Sequence, residues 1–111
     1  MSENRSKPCF VIVVEDEVLI RMLAVETLEE AGFIVLEAKH AAAALDLLES
    51  KAETIVVLFT DINMPGNMDG LGLAHYVREH WPWIGQLITS GRLVPALDGF
   101  PARSRFLKKT L

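Results

Sequence analysis

Cysteine is nearly absent: Cys9 is the single one in 111 residues, so no disulfide within the chain can staple it. It sits in an apolar run, where a free thiol is expected to behave as a small hydrophobe in a reducing compartment. Positive charge is scarce as well. Eleven Lys and Arg stand against 15 Asp and Glu, a net charge of -4, which argues against a surface built to neutralise nucleic-acid phosphates. The one basic cluster, Arg103, Arg105, Lys108 and Lys109, reads as a solvated strand end. No apolar run approaches the roughly 20 residues needed to cross a bilayer. Residues 1–8, MSENRSKP, lack the apolar centre of a signal peptide. A soluble, cytoplasmic protein is expected, with no membrane and no nucleic acid among its partners.

What the chain does have is an apolar content of 50% beside 23% charged residues, enough for one core and too short for two. A polar tail over 1–8 and one domain over 9–111 are expected. Five short runs rich in Val, Ile, Leu and Phe occur at 9–14, 33–36, 54–60, 84–89 and 105–107. Most are continuous rather than alternating, as in strands covered on both faces. Helical segments fall between them at 17–31, 40–50 and 71–80, the first carrying apolar residues at Ile20, Leu23, Ala24 and Ala31 and stopping at Gly32, a left-handed cap. In the second, Leu45 and Leu48 face in. Strands alternating with helices imply right-handed crossovers and a parallel α/β sheet.

Ligands of such sheets bind beyond the carboxyl ends of the strands. There the sequence places Glu15, Asp16 and Glu17 after the first run, Asp61 after the third, Thr89 and Ser90 at the fourth, and Lys108 and Lys109 after the fifth. Each has an ordinary explanation alone: an Asp after a strand caps a helix, a Thr suits a strand, a Lys is solvated. Their coincidence at one edge carries the weight. Two or three carboxylates in one cleft resist simultaneous ionisation and require a cation, and oxygen ligands with room for water favour Mg2+ over Ca2+. Zinc is disfavoured, because His40, His75 and His80 are expected on helices away from this edge. A carboxylate, Mg2+, a hydroxyl and a lysine suit phosphoryl transfer. Asp61 would be the nucleophile forming an aspartyl phosphate, Thr89 a hydrogen-bond donor and Lys109 a point charge.

The stretches VIVVEDE, DINMPG followed by MDG, LITSG and RFLKK resemble, in order and spacing, the four signatures of response-regulator receiver domains of two-component signalling. The resemblance spans residues 9 to 111. It implies a flavodoxin-like, doubly wound five-stranded parallel sheet of order 2-1-3-4-5. It also implies that Asp61 accepts phosphate from a histidine kinase or histidine phosphotransfer protein, and that Asp16, Asp61 and the backbone carbonyl of Asn63 hold Mg2+, with Glu15 acting through a bound water. Thr89 and Phe106 match the switch positions, Ser90 the small residue that leaves the phosphoryl group accessible, and Lys109, favoured over Lys108 by the F-L-x-K spacing, the active-site lysine. Phosphorylation would then alter binding to a downstream protein partner or to a second copy of the chain. Self-catalysed phosphotransfer and slow loss of phosphate would be its only chemistry.

The chain departs from the family pattern in four places. MPGNMDG is one residue longer than the commoner loop, and Thr110 stands where a proline usually follows the lysine. Pro95, Gly99 and Pro101 imply a short or irregular fourth helix, since an interior proline costs about 3 kcal/mol. The sequence ends where a fifth helix would begin, so an apolar face is expected to be covered by a further segment or a partner. Two rival functions remain. An aspartyl-phosphate phosphatase or phosphotransferase needs an acid two residues after the nucleophile, where Asn63 stands. A receiver-like scaffold that binds without phosphate is disfavoured by the intact acidic residues, Thr89 and Lys109. A nucleotide site is weaker, because the first strand leads into Glu-Asp-Glu and not into a glycine-rich turn. Pro65, Gly66 and Gly70 are expected to turn the chain away from Asp61, with the glycines at positive φ. Trp81 and Trp83 are expected to pack on the core or its rim, and Met22 and Val25 to lie on the outer face of the first helix.

Overall fold

Val, Ile, Leu and Phe fill the strands, where branched side chains pack well on a pleated surface. The computed structural model describes residues 9–62, 64, 66, 68–90 and 104–108. In chain order these are β1 (Phe10–Val14), α1 (Val18–Glu30), β2 (Ile34–Ala38), α2 (Ala41–Lys51), β3 (Ile55–Asp61), α3 (Gly70–His80), β4 (Gly85–Ser90) and β5 (Ser104–Lys108), with a 3-10 turn at Ala52–Thr54. The strands form one parallel sheet of order β2-β1-β3-β4-β5, as the resemblance implied. The fold is flavodoxin-like. The expectations for the fourth helix and for the tail at 1–8 fall on residues outside those described.

Register aligns Ile12 with Leu36 and with Leu58, and Leu58 with Gln86. The main core lies on the sheet face covered by α2 and α3, where Ile12, Val14, Leu48, Leu58, Leu73, Val77 and Ile84 pack together, each at most 1% exposed. Each large aliphatic side chain buried there contributes roughly 1.5–3 kcal/mol. Gln86 ties β4 to α3 by donating from Nε2 to the Ala74 carbonyl at 2.9 Å.

Helix α1 covers the opposite face alone among the described residues, and its burial departs from expectation. Val25, expected outside, is its buried residue, while Leu23 is 50% exposed; Met22 is exposed as expected. The first two turns are apolar nearly all round, so the sequence does not single out one face. Cys9 also departs: it precedes β1 and is exposed.

The helix ends follow capping chemistry. After α1, Gly32 has φ 99°, its N–H donates to Glu29 O at 3.0 Å, and Phe33 N–H donates to Leu28 O at 3.1 Å. That pair of bonds is a Schellman closure, and it requires the left-handed residue the sequence supplies. Asp69 caps α3 by accepting from Gly72 N–H at 2.8 Å. Asp69→Ala is expected to lower stability by about 1 kcal/mol, read as a shift in the urea midpoint at unchanged slope. His40 caps α2, its Nδ1 accepting from Ala43 N–H at 3.1 Å. It therefore sits at the carboxyl edge of the sheet, contrary to the expectation that all three histidines lie away from it.

Candidate functional site

The first turn after β1 is built by backbone demands. Glu15 N–H donates to Ala38 O at 3.0 Å, extending the β1–β2 ladder by one residue, and the Glu15 carboxylate turns back to accept from Glu17 N–H at 3.2 Å. Glu15 is thereby buried, 3% exposed, and Asp16 beside it is more open to solvent. Asp61, the last residue of β3, is 5% exposed. One carboxylate oxygen from each of Glu15, Asp16 and Asp61 lies within 4.8 Å of the others. Three carboxylates this close are mutually repulsive and match the all-oxygen donor set of a hard divalent cation.

Strand pairing sets Thr89 directly beside Asp61, and Ile62 N–H donates to Thr89 O at 2.9 Å. Paired residues in adjacent parallel strands present their side chains to the same face. Thr89 is 4% exposed, and its Oγ has no hydrogen-bond partner among the described residues. An orphaned buried hydroxyl costs about 1–3 kcal/mol, so its retention beside the carboxylates points to a ligand it can bond.

Asp61 is not the helix cap that an Asp after a strand often is. The cap of α3 is Asp69, which leaves the Asp61 carboxylate for the cleft. Gly66 has φ 109°, as a turn residue should, but Gly70 does not share that feature. Gly70 is glycine for want of space: a Cβ there would lie 1.7 Å from the Asp61 carbonyl oxygen, while its N–H donates to Ile62 O at 2.9 Å. The start of α3 is thus drawn tightly against the backbone at the end of β3.

Two supporting residues escape sequence reasoning. Arg21 donates from Nη1 to the Glu15 carbonyl at 2.8 Å and from Nε to Glu37 at 3.2 Å, clamping the acidic turn to α1 and β2. Its signal was a lone cation inside the apolar stretch VLIRMLA. Thr60, fully buried, donates from Oγ to the Asp61 carbonyl at 3.1 Å; nothing in the sequence marks it. Asn63 and Lys109 lie outside the described residues. Phe106 stands opposite Ile88, and Lys108 opposite Ser90, in the β4–β5 pairing.

Comparison with known proteins agrees with this geometry. A family model described as the response regulator receiver domain matches residues 11–96. The chain is 33% identical over 97 residues to the sensor kinase CckA of Brucella abortus, covering 86% of this chain and 10% of that protein. It is 46% identical over 68 residues to the chemotaxis protein CheY homologue of Campylobacter jejuni, covering 60% of this chain and 51% of the other. The chain thus spans a tenth of one curated relative and about half of the other. Among solved structures, a response regulator receiver protein from Sinorhizobium medicae superposes with a TM-score of 0.83 at 28% identity, covering 96% of this chain and 86% of that one. The receiver domain of the hybrid histidine kinase CckA gives 0.77 at 31% identity, covering 92% and 86%. With its parallel sheet, its acidic cleft at the carboxyl edge and a family match over most of its length, the chain belongs to the response regulator receiver domains.

Proposed function

We propose that Asp61 is the phosphoacceptor of this receiver domain and that it takes its phosphoryl group from a phosphohistidine on a histidine kinase or histidine phosphotransfer protein. The observation that carries this reading is the convergence of Glu15, Asp16 and Asp61 beside the buried Thr89 hydroxyl, which has no hydrogen-bond partner among the described residues. An Asp61 carboxylate oxygen attacks phosphorus, the new O–P bond forms as the N–P bond breaks, and the departing imidazole nitrogen takes a proton from solvent. The donor set fits Mg2+ held by Asp16, Asp61 and the Asn63 carbonyl, with Glu15 reached through water. When bound, the ion neutralises the carboxylates and the phosphoryl oxygens. Thr89 Oγ donates to a phosphoryl oxygen, and Lys109 holds a second one as a point charge. A similar receiver, the response regulator TrrA of Thermotoga maritima, has been solved in complex with Mg(2+)-BeF; it is 26% identical with a TM-score of 0.81.

Burial on one strand and pairing on the next support the output. A pull on Thr89 acts next to Phe106, whose strand pairs with that of Thr89, and so alters the surface offered to a downstream protein or a second copy. Asn63 in place of a general acid favours storage of the phosphoryl group over turnover.

The test is intact mass after incubation with a small-molecule phosphodonor. The wild type gains one phosphoryl group with Mg2+ and none after chelation by EDTA. Thr89→Val removes a hydroxyl that has no hydrogen-bond partner among the described residues, so it is expected to raise stability by about 1 kcal/mol while lowering the phosphorylated fraction. A Thr89→Val protein that is less stable and labelled as fast as wild type would overturn the role given to Thr89. Labelling undiminished by EDTA would overturn the metal.

A further inference from the structure

Along the first turns of α1 the usual order of a surface helix is reversed. Leu19 and Met22 are 80% and 57% exposed, while the cation between them, Arg21, is drawn inward until its side chain is only 17% exposed. Charged side chains stay at the surface unless they are paired, so specific partners hold Arg21 there. Its planar guanidinium spans two of them: Nη1 donates to the Glu15 carbonyl at 2.8 Å, and Nε to the Glu37 carboxylate at 3.2 Å.

The consequence falls on Asp16. The Glu15 carbonyl belongs to the rigid peptide unit that ends at the Asp16 Cα, and Arg21 holds that unit by its oxygen. The next unit, from Asp16 to Glu17, is held by its N–H, which donates to the Glu15 carboxylate at 3.2 Å. Upstream, the Glu15 N–H is engaged by the Ala38 carbonyl at 3.0 Å. Asp16 therefore sits between two fixed peptides, and its own side-chain torsions are what remains free. It needs that support, because it is more open to solvent than Glu15 or Asp61 and is less constrained by packing.

We infer that Arg21 is a positioning residue for divalent-cation binding: by fixing the peptide between Glu15 and Asp16 it aims the Asp16 carboxylate at the cleft. The inference rests on the reading of that cleft as a Mg2+ site. Outer partners that orient a metal ligand typically change metal affinity by about ten-fold or more when they are removed. Lysine is no substitute, since a single ammonium lacks the fork that reaches a carbonyl and a carboxylate together.

The sign of the effect separates positioning from charge. A guanidinium beside the cleft repels a divalent cation, so by charge alone its removal tightens binding. By positioning, its removal weakens binding. A clamp that merely ties α1 to β2 lowers the melting temperature and leaves the affinity as it was.

Magnesium chloride is titrated into the full chain by calorimetry at constant ionic strength. Arg21→Met, which keeps the packing of the stem, is expected to raise the half-saturating Mg2+ concentration about ten-fold. Arg21→Lys, which keeps the charge, is expected to fall between that variant and the wild type. Melting temperatures without Mg2+ report loss of fold separately, and if Arg21→Met does not fold, Arg21→Lys decides. A half-saturation at or below the wild-type value in either folded variant would overturn the role of Arg21 and leave the Mg2+ site standing. No saturable binding by the wild type would overturn the metal reading and this inference together.

Discussion

Asp61→Asn is expected to take up no phosphoryl group under conditions that label the wild type fully with one, as read by intact mass. The side chain is nearly unchanged in volume, and the amide oxygen is a far poorer nucleophile than the carboxylate. Stability separates loss of chemistry from loss of fold. Asp61 shares a space of 4.8 Å with the carboxylate oxygens of Glu15 and Asp16. Like charges a few ångströms apart repel by on the order of 1 kcal/mol or more. Without Mg2+, Asp61→Asn should therefore be at least as stable as the wild type. With millimolar Mg2+ the order should reverse, since the wild type gains binding energy that the variant has lost. Equal labelling of both proteins would remove Asp61 from its role, and a destabilised variant without Mg2+ would contradict the crowding of charge.

Gly70→Ala is expected to be the most damaging conservative change outside the core. In the first turn of a helix, alanine for glycine ordinarily helps by up to about 1 kcal/mol. Here the added methyl would meet the Asp61 carbonyl oxygen at 1.7 Å, the Asp61 carbonyl carbon at 2.5 Å and the Ile62 Cα at 2.9 Å. All three are backbone atoms, so no side chain can swing aside. Overpacking of this kind costs about 3 kcal/mol or more, a fall of roughly 10 °C or more in melting temperature. Whatever shift relieves the clash must move Asp61 or the start of α3, so phosphoryl uptake should fall as well. Gly72 is the control. A Cβ there meets the Met68 side chain at 3.2 Å and Asp69 Oδ1 at 3.4 Å, contacts that a flexible thioether can yield, so Gly72→Ala should be neutral within about 0.5 kcal/mol. If both alanine variants melt together with the wild type, the close approach under Asp61 is wrong.

Much of this was legible in the chain. Branched apolar runs separated by helical periodicity gave the alternation of strands and helices, and the polar residues at the strand ends pointed to the edge where Glu15, Asp16, Asp61 and Thr89 meet, because in a parallel α/β sheet every carboxyl end points the same way. Gly32 announced its Schellman closure through the conformational freedom that only glycine has at positive φ. What was misread has physical causes too. Val25, expected on the outer face, is buried because a helix apolar nearly all round carries no stripe to orient it. Gly70 looked like a turn glycine, and its real constraint is a carbonyl oxygen nine residues earlier.

The amino-acid order by itself determined the elements, their parallel arrangement and the identity of the residues that could carry phosphoryl chemistry, since these follow from local periodicity and from the direction of the strands. Only the tertiary structure decided that Arg21 clamps Glu15 from six residues away, that Thr89 is buried beside Asp61 with its hydroxyl unpartnered among the described residues, and that both tryptophans wall one cleft with Glu49 and Glu53. Those are matters of contact between segments distant in the chain, and contact is set by how the layers pack, a property no single stretch of sequence contains.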